Sequence, residues 1–180
     1  MKNEFKTLIR KNCNEESLKV IKHIYENLNI FNHENYKWIG KGGAGYEKEL
    51  CKLLNWDFVN KRHWDCNFDD IKIELKKSKS NGIQVDEIRY AEEVLEINLD
   101  CMENIITIFI EIYSNNCKKN GIRRLMIVKN EEIIKMLKIS YEHCWILHRR
   151  KQEIGSGLVY THRLKYLDLI QVADAYIEFK

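Results

Sequence analysis

Strict alternation behind an acid-rich turn is the feature that most constrains this chain. Ile71, Ile73 and Leu75 alternate with Lys72, Glu74 and Lys76, and a two-residue period gives a strand one apolar and one charged face. Just upstream, Asn67-Phe68-Asp69-Asp70 has turn chemistry, because Asn and Asp bond nearby backbone and tolerate unusual φ. The stretch RHWDCNFDDIKIELKKSK, Arg62 to Lys79, therefore predicts a β-hairpin: Lys61–Cys66 outward, the turn, then Ile71–Lys77 back. With the turn centred between Phe68 and Asp69, Asp65 lies opposite Lys72 and diagonal to Glu74, a Cβ separation of roughly 7–8 Å. Asp65, Glu74 and Lys76 then share one face.

The rest of the chain must support that blade. Its 180 residues, 44% hydrophobic and 32% charged, describe one ordinary globular domain rather than a disordered chain. No apolar run approaches the ~18 residues of a membrane helix, and charges scattered through MKNEFKTLIRKNC leave no signal core. A cytoplasmic protein with no membrane partner is the expectation. Six dispersed cysteines form no C-x-x-C pair and no zinc-spaced Cys/His set, so they read as buried reduced thiols. A net charge of +3 does not by itself identify a nucleic-acid partner.

Taken in order, the apolar spacing from Ser17 to Leu28 fits an amphipathic helix capped by Asn14, for packing or dimerisation. The glycine-rich loop Gly40–Gly45 leads into a helix over Glu47–Leu54. It lacks the Lys-Ser/Thr of a nucleotide phosphate loop, which leaves a connector or a loop whose N–H groups approach a DNA phosphate. Glu47, in the first turn of that helix, points either to the hairpin or to solvent. Gln84–Ile97 reads as a helix, Ile105–Tyr113 as a central strand, Leu125–Val128 as another strand, and Glu131–Leu137 as a helix capped by Asn130. Tyr141–Leu147 reads as a strand, followed by a basic stretch from His148 to Lys165. Tyr166–Phe179 is a packed tail, helix or strand. The sum is an α/β domain around a central mixed β-sheet flanked by helices. Residues 1–35 form a helical packing or dimerisation segment, 40–128 the core, and 130–180 a packing and ligand-contacting extension.

Asp65 and Glu74 offer two hard oxygen ligands for Mg²⁺, the Leu75 carbonyl a third, and Lys76 a cation to orient or deprotonate water or offset negative charge. Asp70 rivals Asp65 as the metal acid but sits inside the turn. An acid on one strand, Glu-x-Lys on the next, and a preceding helix carrying a Glu resemble the PD-(D/E)xK nuclease superfamily, on Glu47, Asp65 and Glu74-Leu75-Lys76. Trp64 stands where that pattern has Pro. The order of later parts, with TIFIEIY, RRLMIVKNEEIIKML, a basic stretch and an aromatic tail, is similar to small type II restriction endonucleases. The resemblance implies a restriction-endonuclease-like fold, Mg²⁺, double-stranded DNA as substrate, a homodimer, and a cognate methyltransferase acting on the same site without contact.

Phosphate contacts set affinity and base-edge contacts set specificity. Lys77, Lys79, Lys118, Lys119, Arg123 and Arg124 are candidates for the first. Ser78, Ser80, Asn81 and Gln84, or the basic stretch with Arg149, Arg150, Lys151, Gln152 and Arg163, are candidates for the second. Two other functions stay open: a Holliday-junction or other structure-specific endonuclease, and a non-catalytic DNA-binding domain on a nuclease fold.

Overall fold

The apolar run Ile105–Ile112 is buried at all eight positions, the mark of a strand covered on both faces. In the computed structural model, which describes residues 5–31, 44–61, 64–79, 82–96, 105–113, 121–138, 140–154 and 161–179, it is β6, at the heart of a seven-stranded sheet. The described elements run β1 (Phe5–Ile9), α1 (Glu15–Glu26), α2 (Ala44–Leu53), β2 (Asp57–Phe58), β3 (Cys66–Phe68), β4 (Ile71–Ser78) and β5 (Gly82–Asp86). They continue with α3 (Glu87–Val94), β6, β7 (Ile122–Lys129), α4 (Asn130–Leu137), α5 (Tyr141–Ile154), β8 (Thr161–Lys165), α6 (Tyr166–Val172) and β9 (Ala175–Phe179).

The main sheet has the order β1-β9-β7-β6-β4-β3-β2, with β4 and β6 parallel and the other pairs antiparallel. It is an α/β fold on a mixed sheet, as the sequence predicts. Alternation divides its two faces. Ile71, Ile73 and Leu75 of β4 join Ile106, Ile108 and Ile110 of β6 and pack against Val20, Ile24, Leu50 and Cys51 from α1 and α2. On the other face Phe109, Met126 and Val128 meet Ile83, Val85 and Leu164 from a β5-β8 ribbon, with Ile133 of α4 and Leu169 of α6. Glu74 and Lys76 alternate with the apolar set and so belong to this second face.

Several expectations are corrected. The hairpin turn is only Asp69-Asp70, with Asp69 at φ 53, a left-handed conformation that Asp tolerates. Asn67 and Phe68 therefore lie in the strand, and Asn67, not Asp65, is opposite Lys72. The shift is two residues, so every side chain keeps its face. Gln84, Val85 and Asp86 belong to β5 rather than to a helix, because they pair with Arg163, His162 and Thr161 of β8. That pairing brings Gly82 so close that a Cβ there would stand 2.5 Å from the Leu164 carbonyl oxygen.

Tyr141–Leu147 is not a strand but the first half of α5. Cys144 and Leu147, three residues apart, bury against Ala91 and Leu95 beside α3, a helical spacing hidden in a short apolar run. The basic run from His148 to Lys151 is helical too. Asn14 does cap α1, accepting the Ser17 N–H at 2.9 Å. Asn130 is no cap: it is the first helical residue, and its side chain accepts from the Thr107 hydroxyl at 2.9 Å in the interior. The tail is both helix and strand, α6 then β9. β9 pairs with β1, a strand that no pattern in residues 5–9 points to. Cys13, Cys51, Cys66 and Cys144 are free thiols. Cys101, Cys117 and the glycines at 40, 42 and 43 lie outside the described residues. Among the described residues no helix is long and apolar enough to cross a membrane.

Candidate active site

β4 carries Glu74, Leu75 and Lys76 across the middle of the sheet. The β3–β4 ladder ends at Cys66 opposite Ile73, and the chain then keeps Asp65 tight against β4. The Asp65 N–H donates to the Ile73 carbonyl at 2.8 Å, and its carboxylate accepts the Leu75 N–H at 2.7 Å. Asp65 thus sits beside Glu74, closer than the predicted diagonal. The Val59 and Asn60 N–H groups both donate to the Asp65 carbonyl, at 2.9 and 3.0 Å, fixing the residue from behind.

Lys76 makes an ion pair with Glu74. Glu47, in the first turn of α2, completes the group: it is hydrogen-bonded to Asp65 and lies within electrostatic reach of Lys76 and Glu74. The structure therefore brings together all four predicted residues, Glu47, Asp65, Glu74 and Lys76. Asp65 and Glu74 are 7% and 3% exposed, which matters because a buried carboxylate resists ionisation. Burial, then repulsion from Glu74, pushes the Asp65 carboxyl up to about 8 against the Leu75 N–H, which favours its charge. Burial also raises Glu47, opposed chiefly by Lys76. Near neutral pH Asp65 holds a proton and can donate it to Glu47.

Three acids crowd one ammonium, an excess of negative charge in oxygen-rich surroundings. Among the described residues no three His, Cys, Asp or Glu side chains are arranged to hold a metal ion. Asp65, Glu74 and the Leu75 carbonyl would be the donors for a Mg²⁺ ion here, with waters for the remainder, since Mg²⁺ favours hard oxygen ligands and retained water. The donor set fits on that basis. Tyr46, which the sequence did not single out, donates its hydroxyl to the Leu75 carbonyl at 2.8 Å. A carbonyl has a second lone pair, so Tyr46 can fix its direction without using up the ligand. Asp70, the rival acid, is exposed in the turn at the far end of β4.

Glu47 and Lys76 open into a cleft of about 490 Å³ that Lys77, Ser78, Gln84 and Arg163 also line. Lys77 lies over the Tyr46 ring, 4.2 Å from its centroid, and burial, then Lys79, lowers its ammonium to about 8. The Ser78 hydroxyl donates to the Gly82 carbonyl at 3.0 Å, tying the end of β4 to the start of β5. Gln84 and Arg163 are exposed cross-strand partners on the ribbon. Lys79 is exposed just past β4, while Ser80, Asn81, Lys118 and Lys119 lie outside the described residues.

The α5 residues do not join this cleft. Arg149 and Arg150 are exposed on the helix, and Lys151 pairs with Glu92, which is 1% exposed on α3. Lys151 is a structural countercharge. No protein-family model and no curated protein sequence matches this chain.

Proposed function

We propose that the protein is a Mg²⁺-dependent endonuclease that hydrolyses phosphodiester bonds in double-stranded DNA, cutting at specific sequences as type II restriction enzymes do. One observation carries this reading: Glu47, Asp65, Glu74 and Lys76 converge from α2, the β3 approach and β4, and Glu47 and Lys76 of that group line a cleft together with Lys77, Gln84 and Arg163. Burial and repulsion from Glu74 hold the carboxyls of Asp65 and Glu47 above their ordinary values, a condition that a bound cation would relieve.

Asp65, Glu74 and the Leu75 carbonyl are the residues that hold the metal, which when bound lowers the pKa of water and neutralises charge on the phosphate. As a metal ligand Asp65 would be the carboxylate, since a cation beside it would offset the burial and repulsion that raise its pKa. Lys76, anchored by Glu74, orients the attacking water or balances charge developing on the phosphate oxygens. Glu47, hydrogen-bonded to Asp65 and lining the cleft beside Lys76, accepts a proton from Asp65 or from water. Lys77 meets a backbone phosphate, and the Gln84–Arg163 pair reaches base edges, where Arg reads guanine and Gln adenine. Cutting both strands takes two such sites, hence a homodimer on a two-fold symmetric sequence, and a host needs a methyltransferase for the same sequence.

Digestion of a plasmid of known sequence with Mg²⁺, followed by sequencing of the ends, tests the reading. Discrete fragments with one common end sequence are expected. No cleavage of linear duplex beside efficient cutting of a four-way junction would move the assignment to a structure-specific nuclease, and metal-independent DNA binding without cutting would move it to a non-catalytic domain.

A further inference from the structure

Beyond Arg163 the cleft is continued by a larger concavity of about 690 Å³. Arg123, Arg124, Arg163 and Lys165 gather there around Glu111, beside the buried ring of Tyr166. We infer that this pocket binds a backbone phosphate of the same DNA, a few nucleotides along one strand from the bond that is cut. The inference rests on the nuclease reading and extends its contact surface.

The sheet register places the pocket. Ser78 on β4 is the neighbour of Glu111 on β6, Glu111 is opposite Arg124 on β7, and Arg124 is opposite Glu178 on β9. From Lys76 to Arg124 is two interstrand steps of about 4.8 Å and two residues of about 3.3 Å along the strand, roughly 12 Å in all. One DNA strand advances about 3.4 Å per phosphate along the helix axis and winds around it at the same time, so this separation corresponds to a neighbouring phosphate only a few nucleotides away.

The chemistry is that of an anion site already assembled. Glu111 is 3% exposed and takes Arg124 at 3.0 Å and Arg123 at 3.2 Å. Arg124 also donates to Glu178 at 3.3 Å. These bonds lock both guanidinium planes before any ligand arrives. A guanidinium carries five N–H donors, more than the carboxylates accept, so each fork keeps donors for a phosphate. Four cationic side chains face one carboxylate in the lining, and Arg163 borders both cavities, making one basic path from the acids to the arginines.

Arg123→Gln, Lys165→Gln and the double variant test the idea, read by duplex binding over a salt series with the full-length protein. Each lost phosphate contact lowers the slope of log affinity against log salt by about one and weakens binding alike on every sequence. Once the cut position is known, a neutral methylphosphonate placed in turn at each of the nearby phosphates weakens wild-type binding at one position and leaves the double variant unaffected there. Wild-type slopes in both single variants, or equal sensitivity of wild type and double variant to the neutral phosphate, overturn the inference while cleavage and the nuclease reading stand. A wild-type protein that binds no duplex overturns both.

Discussion

Glu74 and Glu111 invite direct comparison: they are the same residue type, each 3% exposed, on the same face of adjacent parallel strands. Their surroundings are opposite. Glu111 pairs with two arginines, one of which also pairs with Glu178 at the sheet surface. Glu74 shares one lysine with two other acids, Glu47 and Asp65. The first arrangement satisfies its own buried charge, which is tolerated when paired and bonded, and the guanidinium donors it leaves over are those the proposed phosphate site uses. The second keeps like charges together at a cost, and that cost is what the nuclease proposal draws on.

The largest effect that separates the two is on cleavage. Glu74→Ala or Lys76→Ala is expected to lower Mg²⁺-dependent cutting by about 10²-fold or more while duplex binding is largely kept, as gel assays of both would show. Normal cutting by either variant removes β4 from the mechanism. Stability reverses the order. Glu111→Gln strands two arginines and should cost about 2 kcal/mol, less than a fully enclosed pair because Arg123 is 39% exposed. By thermal denaturation that is a fall of about 6 °C for a chain of this size. Glu74→Gln removes repulsion along with its pair to Lys76 and should leave the melting temperature nearly unchanged.

A third, smaller effect depends on pH. In the folded protein Asp65 holds its proton up to about 8, against 3.8 ordinarily. Because the folded-state value is raised, the stabilising contribution is complete below about pH 4 and is lost as pH rises through 8. The metal-free protein should therefore melt several degrees lower at pH 9 than at pH 5, with the difference reduced in Asp65→Asn. Mg²⁺ should restore wild type, but not that variant, at pH 9. A flat wild-type profile would mean that Asp65 is already ionised. The smallest effect compares the two basic regions: Arg163→Ala should weaken duplex binding several-fold, and Arg150→Ala on α5 should change it by less than about twofold, within the range of an exposed surface charge.

The site was more legible than the fold around it. Glu74, Leu75 and Lys76 are fixed to one strand by local alternation, and Asp65 and Glu47 lie near enough in sequence to be paired with them on turn and helix signals. Glu111 and Tyr46 gave no such signal. A glutamate inside the apolar run TIFIEIY and a tyrosine beside a glycine-rich stretch acquire meaning only from Arg124 and from the Leu75 carbonyl, neither of which is a local neighbour. The basic stretch from His148 to Lys165 misled for the same reason. Charge is visible in sequence, but Lys151 spends its charge on Glu92 while Arg163 faces the cleft.

The sequence by itself determined the mixed α/β character, the hairpin, the buried central strand and the face on which the acids lie, because periodicity and turn chemistry act over a few residues. Only tertiary structure decided that β1 closes on β9, that β5 and β8 form a ribbon over the cleft, and which charges are spent on neighbours and which face the cleft. Those outcomes depend on pairing between segments far apart in the chain, where the partner, rather than the residue, sets burial and charge.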